Sequence, residues 1–303
     1  MGEIVAAVFT THVPRLMITD PQARLAYMGK NVTTFYDAME QIESERLGKL
    51  NFDTYALIDT HWFSTLAYIL NANERLCGIY TSDEIPQMIH ELPYDYLGDA
   101  ELARAVEAVA RERGVRVTAA PYPHLPIHYP TLNVMHYFNP KGRRRVLSIS
   151  VCQTASIEND MAFGEVLAAA IRSTDRRVVL VAAGGLSHRF WDYDHVLERA
   201  SASADDISAP GNRIYDERMM EWFRAGRHDC VLDAAADYRA KCSPEGRFSH
   251  YLIMAGAMGG REWNWRGEQF GRYEAAIGTG QAIFFFGPDK SDAESPAAVG
   301  GLP

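Results

Sequence analysis

His12, His61 and His188 each stand just past a short apolar run. Ile4-Val5-Ala6-Ala7-Val8-Phe9 precedes Thr10-Thr11-His12, Tyr55-Ala56-Leu57-Ile58 precedes Asp59-Thr60-His61, and Val178-Val179-Leu180-Val181-Ala182-Ala183 leads through Gly184-Gly185-Leu186-Ser187 to His188. Such runs read as buried strands that deliver a polar residue at their carboxyl ends. A neutral imidazole is a good metal ligand, and it titrates near physiological pH. Two imidazoles with one carboxylate form the facial triad that suits non-haem Fe(II) and leaves the opposite face open for substrate and dioxygen. The placement of His12 and His61 fits that use, but their spacing does not select the carboxylate. Cys77, Cys152, Cys230 and Cys242 form no C-x-x-C pair, which disfavours a disulfide frame or a structural zinc site.

Positioning three such residues requires an α/β fold, with a mixed central sheet flanked by helices and the active site at the strand carboxyl ends. The sequence supplies the parts. Apolar stripes predict helices from about Thr33 to Leu47, from Asp99 to Gly114, around Phe163 to Ile171, around Ile214 to Phe223 and over Tyr251 to Met258. Further strands are predicted at Leu66–Leu70, Val115–Thr118, Val146–Val151 and Gln281–Phe286. A polar loop follows Leu16. The stretch from Tyr80 to Tyr96 reads as an irregular surface segment able to cover a pocket, and residues 201–211 as a polar loop. The prolines of Pro121-Tyr122-Pro123-His124-Leu125-Pro126-Ile127-His128-Tyr129-Pro130 predict a stiff extended loop. With no internal repeat, residues 1–287 read as one domain and residues 288–303 as a tail.

The 303 residues carry 47% hydrophobic and 23% charged residues, as a globular enzyme does. A formal charge of −9 argues against a nucleic-acid partner. Lys141-Gly142-Arg143-Arg144-Arg145 is the one dense basic run and reads as a solvated turn. No apolar run is long enough to span a bilayer and no signal peptide opens the sequence, so a cytoplasmic address and no membrane partner are expected. No serine-hydrolase elbow, Walker loop or complete dinucleotide fingerprint occurs.

Five motifs carry a resemblance: Thr11-His12-Val13-Pro14, Asp59-Thr60-His61-Trp62, His128-Tyr129-Pro130, Leu186-Ser187-His188-Arg189-Phe190 and Gly278-Thr279-Gly280. In order and spacing the chain resembles the type III (LigB-like) extradiol ring-cleavage dioxygenases from residue 3 to about 287. Within them it is most similar to the homoprotocatechuate (3,4-dihydroxyphenylacetate) 2,3-dioxygenases, which share Tyr80-Thr81-Ser82 as well. The resemblance implies Fe(II) held by His12, His61 and Glu245, the last aligned through Pro244-Glu245-Gly246. It implies His188 as the acid/base residue, and Tyr129 as a hydrogen-bonding partner of substrate or intermediate. It further implies a small aromatic diol and O2 as reactants, and a homo-oligomer, dimer or tetramer. His128 stands where the homoprotocatechuate members carry an acidic residue.

His250 and Arg189 are candidates for substrate contact, and Arg247 and Arg272 join Arg189 as candidates to read a substrate carboxylate. His90, His195 and His228 lie among polar neighbours and read as surface residues. The expected reaction is extradiol opening of 3,4-dihydroxyphenylacetate to a muconic semialdehyde. The alternatives are another catechol acid, an aminophenol or a dihydroxypyridine as substrate, a zinc or manganese hydrolase, and a non-catalytic Memo-like interaction protein.

Overall fold

A computed structural model describes residues 1–18, 22 and 33–288. Residues 289–303 of the expected tail, and nearly all of the expected polar loop after Leu16, lie outside the described residues. An eight-stranded sheet runs in the order β6-β3-β7-β2-β8-β1-β10-β9. Its strands are β1 (Glu3–Thr10), β2 (Thr54–Ser64), β3 (Tyr68–Asn71), β6 (Val117–Ala120), β7 (Arg145–Cys152), β8 (Arg177–Ala183), β9 (Gly267–Ala276) and β10 (Thr279–Phe286). The centre, β7-β2-β8-β1, is parallel, whereas β10 pairs antiparallel with both β1 and β9. The expected mixed sheet is therefore present.

Because side chains alternate across a pleated strand, each central run supplies two cores. Ala7, Phe9, Leu180 and Ala182 face one side, packed by α2 (Ala100–Arg113), α4 (Ile157–Ser173), α5 (Pro210–Ala225), α6 (His228–Cys242) and α7 (Ser249–Ala257). Ala6, Val8, Val179 and Val181 face the other, packed by α1 (Phe35–Glu45) and α3 (Tyr129–Phe138). Near-continuous apolar runs follow from cover on both faces. Asp99 caps α2 by accepting from Leu102 N–H at 3.1 Å, and Gly114 ends that helix at φ 70°, where a Cβ would be strained. Among the described residues, no helix is long and apolar enough to cross a membrane.

Several segments depart from the sequence reading. The stretch expected to be irregular contains β5 (Leu92–Leu97), which forms a two-stranded hairpin with β4 (Arg75–Tyr80) at its start. Its outer positions are exposed, so the apolar alternation that marks a half-buried strand is lacking. The extended loop at Pro121 ends earlier than expected, because Pro130 lies in the first turn of α3, where its missing N–H has no helical partner to lose. α6 and β9 were not expected. The stripe of α6 is thin, and β9 lies at the sheet edge with charged residues on its open side. His228 is fully buried rather than on the surface. It stacks on Trp263 with ring centres 3.5 Å apart, and its ring nitrogens reach Tyr251 Oη and the Trp265 carbonyl. His90 is exposed, and the half-exposed His195 pairs with Asp192, as surface residues do.

Candidate active site

Strand register sets the site. Thr10 of β1 and Asp59 of β2 both lie level with Ala183 of β8. His12, just past the end of β1, and His61, still within β2, are each two residues further on and therefore stand at the same height. Pairing between β2 and β7 slips between Asp59 and Phe63, so His61 sits on a bulge that re-aims its side chain. Asp59, fully buried, pins that bulge by accepting from the N–H groups of His61 (3.0 Å) and Trp62 (3.2 Å). Its other oxygen accepts from the N–H and hydroxyl of Thr131, in the first turn of α3. One carboxylate thus orients both His61 and the start of the helix that bears Tyr129.

Glu245 arrives by a different route. The residues after it, Gly246, Arg247 and Phe248, all adopt left-handed backbone with φ of 52°, 58° and 63°. Two of these are not glycine, so the turn stores strain of about 1–2 kcal/mol at each. A Cβ on Gly246 would also lie 2.8 Å from Thr60 Cγ2. Gly185 N–H and Thr60 Oγ1 each stand 2.5 Å from an oxygen of the Glu245 carboxylate, fixing it in place.

The result is a compact cluster. His12 Nε2 lies 3.1 Å and His61 Nε2 3.6 Å from Glu245 Oε1. One donor atom from each of these three residues falls within 4.8 Å of the others. Donors bound at about 2.1 Å to one ion and at right angles stand about 3 Å apart, so the set fits a divalent cation. Two imidazoles and a carboxylate, with no thiolate, are a donor set of open catalytic metal centres, iron and zinc alike, rather than of closed structural zinc sites. His188 Nε2 approaches the second oxygen, Glu245 Oε2, at 3.4 Å. Tyr129 Oη stands 3.0 Å from His61 Nε2.

The electrostatics agree with the geometry. Burial alone would raise the pKa of Glu245, but His12, His188 and His61 hold it well below the usual carboxylate range. Burial likewise opposes charge on His12, yet Glu245 wins and raises its pKa. His61 is pushed down to about 4 by burial and then by His12, and burial also lowers His188. The cluster thus accommodates one positive charge beside Glu245, the place a cation would take. Burial, with Glu245 adding to it, keeps the Tyr129 phenol protonated throughout the ordinary range.

These groups open into a cavity of about 450 Å³ whose wall includes His12, His61, Tyr129, His188 and Glu245. Four residues proposed for substrate contact lie off that wall. His250 is fully buried behind Gly184, where its ring takes the space a Cβ would need. Arg189, Arg247 and Arg272 are exposed elsewhere. His128 stands beside Trp62, ring centres 6.0 Å apart, and is likewise absent from the wall. Two charged residues on the wall were not anticipated, Glu84 and Arg15. Arg15 lies three residues beyond His12, within the 3-10 turn Pro14–Met17, so its closeness to a strand-end histidine was the available signal.

Comparisons with known proteins identify the family. Residues 6–287 match the family described as the catalytic LigB subunit of aromatic ring-opening dioxygenase. The chain is 30% identical over 272 residues to a 3,4-dihydroxyphenylacetate 2,3-dioxygenase of Escherichia coli, covering 87% of this chain and 95% of that protein. It is 26% identical over 263 residues to the alpha subunit of a 2-aminophenol 1,6-dioxygenase from a Pseudomonas species, covering 85% and 92%. A crystal structure of an uncharacterized Escherichia coli K12 protein superposes with a TM-score of 0.58 at 13% identity, over 93% of this chain and 100% of the other, and so shares the fold.

Proposed function

Because the chain belongs to the LigB family of aromatic ring-opening dioxygenases, we propose that it is an Fe(II)-dependent extradiol enzyme. Its substrate would be a catechol with an acidic side chain, 3,4-dihydroxyphenylacetate being the first choice. The observation that carries this reading is the grouping of His12, His61 and Glu245 on one wall of a cavity, with His188 across the carboxylate. His12, His61 and Glu245 would hold the iron, which when bound acidifies the catechol hydroxyls and passes electron density from ring to dioxygen.

The remaining work falls to the chain's own groups. His188, on the cavity wall with Nε2 3.4 Å from Glu245 Oε2, takes a proton from a substrate hydroxyl and returns it as the ring opens to the semialdehyde. Its lowered pKa leaves the imidazole neutral and ready to accept. Tyr129, buried and protonated, serves as a hydrogen-bond donor beside His61. Asp59 keeps the bulge from swinging His61 away. The apolar wall, including Ile85, Met88 and Phe190, limits water around the ring.

The test is anaerobic loading with Fe(II), then 3,4-dihydroxyphenylacetate, then air. Expected is a yellow semialdehyde with one O2 consumed per ring. Product formation without oxygen points to hydrolytic chemistry, and lack of any oxygen uptake overturns the reading. Likeness to the aminophenol-cleaving relative supports a second substrate class, so 2-aminophenol belongs in the same panel.

A further inference from the structure

The turn that joins β9 to β10 breaks a local rule. Ala276 pairs with Thr279, so Ile277 and Gly278 make the whole connection, and both have positive φ, 47° and 102°. That combination belongs to the type I′ hairpin, which favours Asn-Gly or Asp-Gly because asparagine, aspartate and glycine tolerate left-handed backbone. An isoleucine there is an outlier, since its branched Cβ crowds the backbone. Strain of this kind gathers at functional sites.

The position of the turn says what its side chain meets. β10 pairs with β1 from Phe284 to Phe286. Before that it runs beside the segment that bears His188. Leu186 N–H donates to the Gly280 carbonyl and Gly280 N–H to the Ser187 carbonyl, both at 2.8 Å, and Trp191 N–H donates to the Ile277 carbonyl at 3.1 Å. On that segment lie His188, 3.4 Å from Glu245 Oε2, and Phe190, whose ring meets the His188 ring edge-on with centres 4.8 Å apart. Gly278 packs closely against it, for a Cβ there would come 2.8 Å from the Trp191 nitrogen. Phe190 and Ile277 therefore form the part of the cavity wall that lies beyond His188 from the metal corner, and they are 48% and 39% exposed. A catechol held by its hydroxyls at that corner turns the far side of its ring toward this apolar wall.

We propose that Ile277 is a specificity-determining residue of this site, its side chain packing on the alkyl part of a ring substituent that lies para to a hydroxyl, and that the strained turn serves this placement. The inference rests on the ring-opening reading above. It is tested on the Fe(II)-equilibrated protein under nitrogen, by titration calorimetry with catechol and with 4-ethylcatechol, and by the urea midpoints of the same proteins. Wild type should bind 4-ethylcatechol about tenfold more tightly, the gain expected from burying two carbons. Ile277→Asn suits the turn and removes the apolar surface, so it should raise the urea midpoint and cut that ratio to about a third or less. Ile277→Val, still branched and apolar, should keep most of the ratio and the wild-type midpoint. Equal binding of both compounds by wild type, a ratio unchanged in Ile277→Asn, or a ratio that falls together with the midpoint, overturns the assignment to Ile277 and leaves the ring-opening reading standing. Failure of wild type to bind either compound overturns both. An Ile277-dependent ratio, without ring opening on admission of air, sinks the proposed reaction and supports the role of Ile277.

Discussion

Thr60 Oγ1 lies 2.5 Å from Glu245 Oε1 and 2.9 Å from the Ala183 carbonyl. The hydroxyl has one proton to give, and the charge-assisted bond to the carboxylate is the stronger use of it. Thr60 precedes His61, so this contact ties one member of the candidate metal cluster to the backbone of another. Thr60→Val keeps the shape and removes the donor. It should weaken Fe(II) binding about tenfold to a hundredfold, the usual cost of losing a partner that orients a ligand. Thr60→Ser should recover most of the loss. Calorimetric metal titration of the three proteins decides the matter, and equal affinities would remove Thr60 from any such role.

His188 is expected to act without holding the ion. His188→Phe should therefore lower kcat for ring opening about a hundredfold to ten-thousandfold, with the Fe(II) dissociation constant within about threefold of wild type. A parallel collapse of metal binding would show that His188 is a ligand instead.

Asp216 supports the segment that carries His188. It is fully buried and accepts from the Ser187 N–H (3.1 Å), the Ser187 hydroxyl (2.6 Å) and the hydroxyls of Tyr238 and Tyr273 (both 2.6 Å). Gly280 leaves room for it, since a Cβ there would come 2.0 Å from Asp216 Oδ2. Gly280→Ala must push this network apart and should lower stability by about 2–3 kcal/mol, read from the urea midpoint. A midpoint unchanged within error would show that the network yields freely.

His228 gives the fold a pH dependence. Burial pushes its pKa down to about 4, from an ordinary value of 6.5. Between those values the unfolded chain binds the proton and the folded one does not, so stability falls as pH drops from about 6.5 toward 4. Full protonation would cost up to about 3 kcal/mol. His228→Phe should be less stable at pH 7.5, having lost two hydrogen bonds, but should lose less on acidification than wild type. Parallel urea midpoints at pH 7.5 and 4.5 for the two proteins would contradict this.

The strand-end histidines were legible because a strand covered on both faces writes an almost unbroken apolar run, and the break in that run marks where a side chain can reach a cleft. Glu245 was legible only through likeness to a family. It sits on a left-handed turn with no periodicity, and a carboxylate near a helix start is common. Arg15 was missed for a related reason, since a lone arginine after proline has the composition of a surface turn. His228 was misread because Arg227 and Asp229 are polar and pair with each other outside, while the helix turns His228 inward. The three arginines expected to meet substrate were chosen for the carboxylate-matching guanidinium alone, and the loop after His188, the left-handed turn at Arg247 and the edge strand β9 leave all of them exposed.

The place of β1 between β8 and β10 bears on how the molecule is made. β1 (Glu3–Thr10) leaves the ribosome long before either of its lateral partners, β8 (Arg177–Ala183) and β10 (Thr279–Phe286), and must remain unpaired on those two edges until they are made. Nascent chains of this protein should accordingly be prone to stick or to need chaperone cover, and a truncation that spares His12, His61, Tyr129, His188 and Glu245 but removes β10 should still yield no soluble product.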